Sequence, residues 1–162
     1  MNKVVIITGV GGAIGRATAK LFSDNNYQCA IVDVDKENAI SALATLNKSQ
    51  EHNYFIEDVS APKSINDLVE NVLKQFGRID VLVNLAATNR KSFSQKDNIE
   101  ERWDKTIDND LKSVYLLSER VVVEMGRTGG GSIVNIGSIA GGFLGSHTIP
   151  YSAAKAGIVA IT

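Results

Sequence analysis

Cysteine is almost absent from this chain: Cys29 is the only one in 162 residues. That excludes a disulfide framework and a thiolate metal cluster, and it fits a reducing, cytoplasmic setting. Histidine is nearly as scarce, and His52 and His147 stand too far apart in sequence to read as a local metal pair. No sign of charge dominates either. The 17 basic residues face 18 acidic ones, net -1, with no like-charge run of the kind that serves nucleic acid or an anionic membrane. No window of about 18 unbroken apolar residues offers a membrane span. The opening MNKVVIITGVGGA has a lysine before an apolar run, as a signal peptide would, but Thr8, Gly9, Gly11 and Gly12 interrupt it early. These absences leave a soluble protein with a small neutral or weakly polar partner, no nucleic acid and no membrane.

What is present is a chain of one-domain size, 44% hydrophobic, with short β-branched runs alternating with helical patterns. The runs KVVIIT (3–8), CAIVD (29–33), YFIED (54–58), DVLVN (80–84) and SIVNIG (132–137) predict five strands. They are apolar nearly throughout, as strands of a parallel sheet covered on both faces are. The clearest helix is 61–76, where Ile65, Leu68, Val69, Val72, Leu73 and Phe76 form one stripe. Ser60 is placed to cap it, Pro62 falls in its first turn and Gly77 ends it. With no repeat, linker or low-complexity segment, the expectation is a doubly wound parallel α/β domain of the Rossmann type over 1–162. GRTGGGS (126–132) reads as a turn into the fifth strand.

The segment TGVGGAIGRA (8–17) follows the first strand and opens a helix. Gly9, Gly11, Gly12, Ala13, Ile14 and Gly15 then form a loop whose backbone can approach a pyrophosphate at the positive helix end. The strict G-x-G-x-x-G pattern does not fit in register, since Ile14 stands where its last glycine belongs. A plain tight strand-to-helix turn is the alternative. Asp33 ends the second strand, 18 residues after Gly15, where a carboxylate accepts hydrogen bonds from adenosine ribose hydroxyls and repels a 2'-phosphate. NAD is therefore favoured over NADP, although Lys36 can soften that discrimination by pairing with a phosphate. Asp35 is better read as the cap of the next helix.

Tyr151 and Lys155 are four apart in YSAAK and share a helix face. A free tyrosine, with a pKa near 10, is too weakly acidic to act as a base at neutral pH. A neighbouring ammonium stabilises the phenolate and brings it toward the working range. Ser138 lies just past the fifth strand, at the end where doubly wound sheets place ligands, and its hydroxyl can hold a substrate carbonyl oxygen. Taken alone, tyrosine and lysine at this spacing also occur on solvated helix faces. The glycine loop, Asp33 and Ser138 in this order argue for chemistry.

From Lys3 to Thr162 the chain resembles the short-chain dehydrogenase/reductase family, over the N-terminal two-thirds of such a protein. TGVGGAIG is similar to the family's T-G-x-x-x-[A/G]-x-G loop, with Ala13 at a position more often glycine. EDVS resembles its aspartate site, which implies that Asp58 bonds the adenine amine and Val59 packs on the ring. GRIDVLVNLAA resembles the segment ending N-N-A-G: Asn84 and Ala86 match, while Leu85 and Ala87 replace the second asparagine and the glycine. Ser138, Tyr151 and Lys155 match the family's catalytic residues, with VNIGSIAG and YSAAKAG around them; the resemblance also puts Tyr151 and Lys155 against the cofactor. In IDNDLKSVY, Asp110 takes the place of the asparagine that completes a catalytic tetrad, with Asn109 one residue earlier. Asp110 is expected to pair with Lys155 and tighten its hold on a proton.

The resemblance implies an oxidoreductase moving hydride between NAD and a carbonyl or secondary alcohol, assembled as a homo-oligomer, a dimer or tetramer, through the helices carrying LKSVYLLSERVVVEM and YSAAKAGIVAIT. The helical pattern is still running at Thr162, and family members add further strands, a helix and a loop over the nicotinamide. The C-terminal part of the fold is expected to be missing, leaving the fifth strand with an exposed edge and apolar face. A truncated, non-catalytic dinucleotide-binding module or interaction protein is thus the competing reading. ATNRKSFSQKDNIEERW (87–103) is expected near the cleft, with Arg90, Lys91 and Trp103 as readily packing or solvent-side residues. His147 is either an exposed loop histidine or a substrate contact.

Overall fold

The structure, a computed structural model, describes residues 2–88, 93, 96–142 and 148–162; Arg90, Lys91 and His147 lie outside the described residues. Five parallel strands form one sheet in the order β3-β2-β1-β4-β5. They are β1 (Val4–Thr8), β2 (Gln28–Asp33), β3 (Asn53–Ile56), β4 (Val81–Asn84) and β5 (Ser132–Asn135). Between them run α1 (Ala13–Asp24), α2 (Lys36–Leu43), α3 (Pro62–Phe76), α4 (Ile99–Ile107) and α5 (Ser113–Arg127), with α6 (Ile149–Ile161) after β5.

Alternate residues of β1 feed two cores because strand side chains point to opposite faces. Val4 and Ile6 pack with Leu68, Val69 and Val72 of α3 and Leu117 and Val121 of α5. Val5 and Ile7 pack with Ala19 of α1 and Ala42 of α2. The sheet is thus covered by helices on both sides, as the strand-helix alternation predicts. Full burial along the strand holds for β1 and β4 and nearly so for β2. It fails for β3 and β5, which end the sheet; Val134 in β5 is 44% exposed. An apolar run reports strand tendency, but burial depends on having a neighbour on each side.

Pro62 opens α3 and Gly77, in the left-handed region at φ 77°, closes it through its N–H to the Leu73 carbonyl at 2.8 Å. The expected Ser60 cap is corrected: Ala61 is the N-cap residue, without a side-chain bond, and the Ser60 hydroxyl donates to Asp58 at 2.7 Å. Asp35 does cap α2, accepting from the Asn38 N–H at 3.0 Å. At the sheet's opposite end the buried Asp80 carboxylate accepts from the Val4 N–H at 2.8 Å and pairs with Arg78. Burial pushes this carboxyl up, but the Arg78 and Val4 donors outweigh it and hold it below the ordinary carboxylate range.

A capping box of Asn98 and Glu101 starts α4. Between α4 and α5 lies a π-helical turn, Asp108–Lys112, a widening that no periodicity in the sequence announces and that recurs at functional sites. Trp103 on α4 is 42% exposed. Among the described residues no helix is long and apolar enough to cross a membrane, and no group of three or more His, Cys, Asp or Glu side chains is placed to hold a metal.

Candidate active site

The loop after β1 is shaped by close backbone approaches. Gly9 sits at φ 71°, donates to the Val32 carbonyl at 2.8 Å, and leaves no room for a Cβ, which would fall 2.7 Å from Ala86 Cα. A Cβ on Gly15 would fall 2.4 Å from the Gly9 carbonyl oxygen, so the loop folds back on its own helix only with glycine there. A Cβ on Gly12, by contrast, would come no closer than 4.0 Å, to the Gly9 carbonyl oxygen; Gly12 is the N-cap residue of α1, while Ala13 and the 65% exposed Ile14 begin the helix. Among the described residues no side chain caps α1 and no acid stands in its first turn. Uncapped N–H groups at the positive end of a helix are the donor set that an anionic pyrophosphate fits.

Asp33, at the end of β2, reaches this loop: Oδ2 accepts from the Gly11 N–H at 2.8 Å and Oδ1 from the Asp35 N–H at 3.0 Å. A carboxylate has acceptor capacity to spare, so these bonds leave room for ribose hydroxyls. Asp58, after β3, is exposed and accepts from the Ser60 N–H at 2.9 Å, with Val59 buried beside it. Asn84 ends β4, buried, and its amide donates to Asn135 of β5 at 2.8 Å and to Ser118 of α5 at 3.2 Å. The Leu85 and Ala86 N–H groups both donate to the Thr8 hydroxyl at 3.1 Å. Loops after β1 and β4 are thereby joined.

Ser138 follows β5 as the N-cap residue of a short 3-10 turn, Ile139–Gly141, and its hydroxyl oxygen accepts from the Ala140 N–H at 3.2 Å. With that lone pair occupied, its O–H remains available as a donor. Tyr151 lies in the first turn of α6 and Lys155 one turn on, its Nζ 5.8 Å from the Tyr151 ring centroid. The Lys155 side chain is buried, and Nζ donates to the Ile136 carbonyl at 2.9 Å, just past the end of β5. Gly141 draws these parts together: a Cβ there would fall 2.6 Å from the Lys155 carbonyl carbon. The sequence offered no signal for the role of Gly141 or of the Ile136 carbonyl, because both arise from contact between separate elements.

The expected Asp110–Lys155 pairing is corrected. Asp110 sits fully buried in the π-helical turn, and its carboxylate accepts from the Thr88 N–H at 2.6 Å, the Thr88 hydroxyl at 3.1 Å and the Asn109 amide at 3.3 Å. Lys155 acts on it through space, with no direct ion pair between the two. Burial pushes the Asp110 carboxyl up, and the Thr88 donors and Lys155 draw it back in part. Burial likewise pushes the Lys155 ammonium below its ordinary value, against the pull of Asp110. Asp110 does tighten the hold of Lys155 on its proton, as expected, but burial outweighs it and the net hold is weaker than in a free lysine.

This geometry has close counterparts. The chain is 35% identical over 166 residues to the 3-oxoacyl-[acyl-carrier-protein] reductase FabG of Thermotoga maritima, covering 99% of this chain and 65% of that protein. It is 34% identical to the NAD-dependent glycerol dehydrogenase of Listeria innocua, over 99% of this chain and 62% of that protein. Among solved structures, levodione reductase superposes with a TM-score of 0.86 at 30% identity, over 99% of this chain and 63% of the other. NAD+-bound xylitol dehydrogenase gives 0.87 at 26%, over 99% and 62%. The chain thus spans less than two-thirds of the length of these relatives. The short chain dehydrogenase family model matches residues 3–162, and the chain belongs to that family.

Proposed function

We propose that residues 1–162 form an NAD(P)-binding domain, with NAD preferred, of an oxidoreductase that moves a hydride between the nicotinamide and a carbonyl or secondary alcohol. The observation that carries this reading is the buried Lys155, hydrogen-bonded at the end of β5 and 5.8 Å from the Tyr151 ring. A buried ammonium beside a phenol has little structural reason to exist. The bound cofactor supplies the hydride or accepts it.

The chain's own residues handle the proton and the oxygen. Ser138 donates its free O–H to the substrate oxygen and so fixes the reacting carbon. Tyr151 gives a proton to that oxygen in reduction and takes it back in oxidation. Lys155 supplies positive charge where the phenol oxygen gains negative charge. The α1 end, Gly9 to Gly15, holds the pyrophosphate; Asp33 takes the ribose; Asp58 and Val59 take the adenine; Asn84 and Ala86 shape the floor. Asp33 favours NAD because its carboxylate repels a 2'-phosphate, and an NAD-dependent glycerol dehydrogenase among the relatives is in keeping with that preference. A cytoplasmic homo-oligomer acting on a small carbonyl or alcohol completes the reading.

Titration of the chain with NADH and NADPH, followed by turnover on a panel of small ketones and polyols, tests it. Tighter binding of NADH and turnover lost in Tyr151→Phe support the proposal. NADH binding with no turnover to lose makes the chain a binding module instead, and turnover surviving Tyr151→Phe removes Tyr151 as the proton donor.

A further inference from the structure

A carboxylate with no solvent exposure is costly unless its oxygens are satisfied, and Asp110 has two of its three donors from one residue outside its helix. That residue, Thr88, lies in the segment after β4, whose Leu85 and Ala86 N–H groups are already tied to Thr8. It therefore connects the sheet's ligand-facing end to the π-helical turn. We propose that Thr88 is a positioning residue of the active site, its N–H and hydroxyl holding the two oxygens of the buried Asp110 carboxylate so that a fixed negative charge faces Lys155. The inference rests on the reading of Tyr151 and Lys155 as the proton-handling pair.

Among the described residues, Lys155 of α6 is the charged group acting on Asp110, and Asp110 is the charged group acting on Lys155, with Tyr151 the other titratable side chain on that helix face. On Asp110's own turn, Asp108 and Lys112 pair with each other at 2.9 Å on the exposed side. From the segment after β4, Thr88 itself is uncharged. Burial opposes the charge on both partners, so the Thr88 donors weigh on Asp110 and, through it, on Lys155. A hydroxyl is suited to the position because it rotates: it donates to a carboxylate and would accept from an amide if asparagine stood at 110. Valine offers neither.

The test is carbon-13 NMR of the full chain labelled in aspartate carboxyls and lysine side chains, titrated with pH in the wild type, Thr88→Val, Thr88→Ser and Asp110→Asn, with turnover measured alongside. The Asp110 midpoint should rise by about one pH unit in Thr88→Val and return in Thr88→Ser, as loss of one hydrogen bond to a charged group implies. The Lys155 midpoint should fall in Asp110→Asn. Should Thr88→Val fail to fold, Thr88→Ala carries the same comparison. An Asp110 midpoint unmoved by loss of the hydroxyl, no recovery with serine, or a Lys155 midpoint indifferent to Asp110→Asn each overturns the proposal. All three shifts without turnover in the wild type would leave the Thr88 contact standing and sink the oxidoreductase reading.

Discussion

The loop between β1 and α1 is shaped mainly by main-chain contacts of its glycines, whereas the Ser138, Tyr151 and Lys155 cluster is built by side chains that a 3-10 turn, α6 and the end of β5 hold in place. In the first region the decisive contacts are made by the main chain: Gly15 lies against the Gly9 carbonyl six residues back, and the Gly9 N–H donates to the Val32 carbonyl of the next strand. In the second they cross 19 residues from Lys155 to Ile136 and 22 from Thr88 to Asp110. Main-chain donors place little demand on side-chain identity, and Ile14 at the start of α1 is exposed. Proton transfer does demand particular side chains, because it depends on the charge and reach of individual groups.

The sharpest way to separate the two regions is Tyr151→Phe, which removes one oxygen from the cluster and nothing from the loop. Turnover should fall by about 10²-fold or more, with NADH affinity unchanged, by stopped-flow and fluorescence titration. A parallel loss of binding would merge the two regions into one. Next in size is Gly15→Ala, whose methyl meets the Gly9 carbonyl at 2.4 Å and should cost about 1–3 kcal/mol in thermal unfolding along with NADH affinity. Gly12→Ala, whose methyl would meet the Gly9 carbonyl oxygen at an ordinary 4.0 Å, should stay within about 0.5 kcal/mol. Equal effects at the two positions would mean that the loop is not shaped by backbone contact.

Asp80→Asn probes the sheet end remote from both regions. Because the folded Asp80 carboxyl lies below its unfolded value, its contribution is complete above the ordinary carboxylate range and lost as pH falls through the folded value. The variant should therefore be about 1–2 kcal/mol less stable at neutral pH, with the deficit shrinking in acid. A deficit that grows in acid reverses the sign and refutes the account. The smallest effect expected on turnover is in Asp110→Asn, which removes the buried charge facing Lys155 while Thr88 can still bond the amide; turnover should rise by a few-fold. An unchanged or lower rate there counts against a cost of that charge to proton release.

The strand and helix order was legible because apolar runs, Pro62 and Gly77 act locally. The Ser60 cap was misread because α3 begins one residue later than its pattern suggests, so Ala61 takes the cap position and the Ser60 hydroxyl donates to Asp58. Spacing put Tyr151 and Lys155 on one face, and they meet there. Spacing along one helix is blind to another element, so Asp110 was assigned the wrong partner: Thr88 reaches it first.

By itself the sequence determined the parallel α/β alternation, the glycine turn after β1 and the helical pairing of Tyr151 with Lys155, all consequences of backbone preference and periodicity over a few residues. Only the tertiary structure decided which strands are edges, that Gly141 seats α6 against the turn bearing Ser138, and that Asp110 is buried on Thr88 rather than paired with Lys155. Burial and hydrogen-bond satisfaction belong to the packed chain as a whole, and a carboxylate without solvent takes the donors that the fold brings within reach.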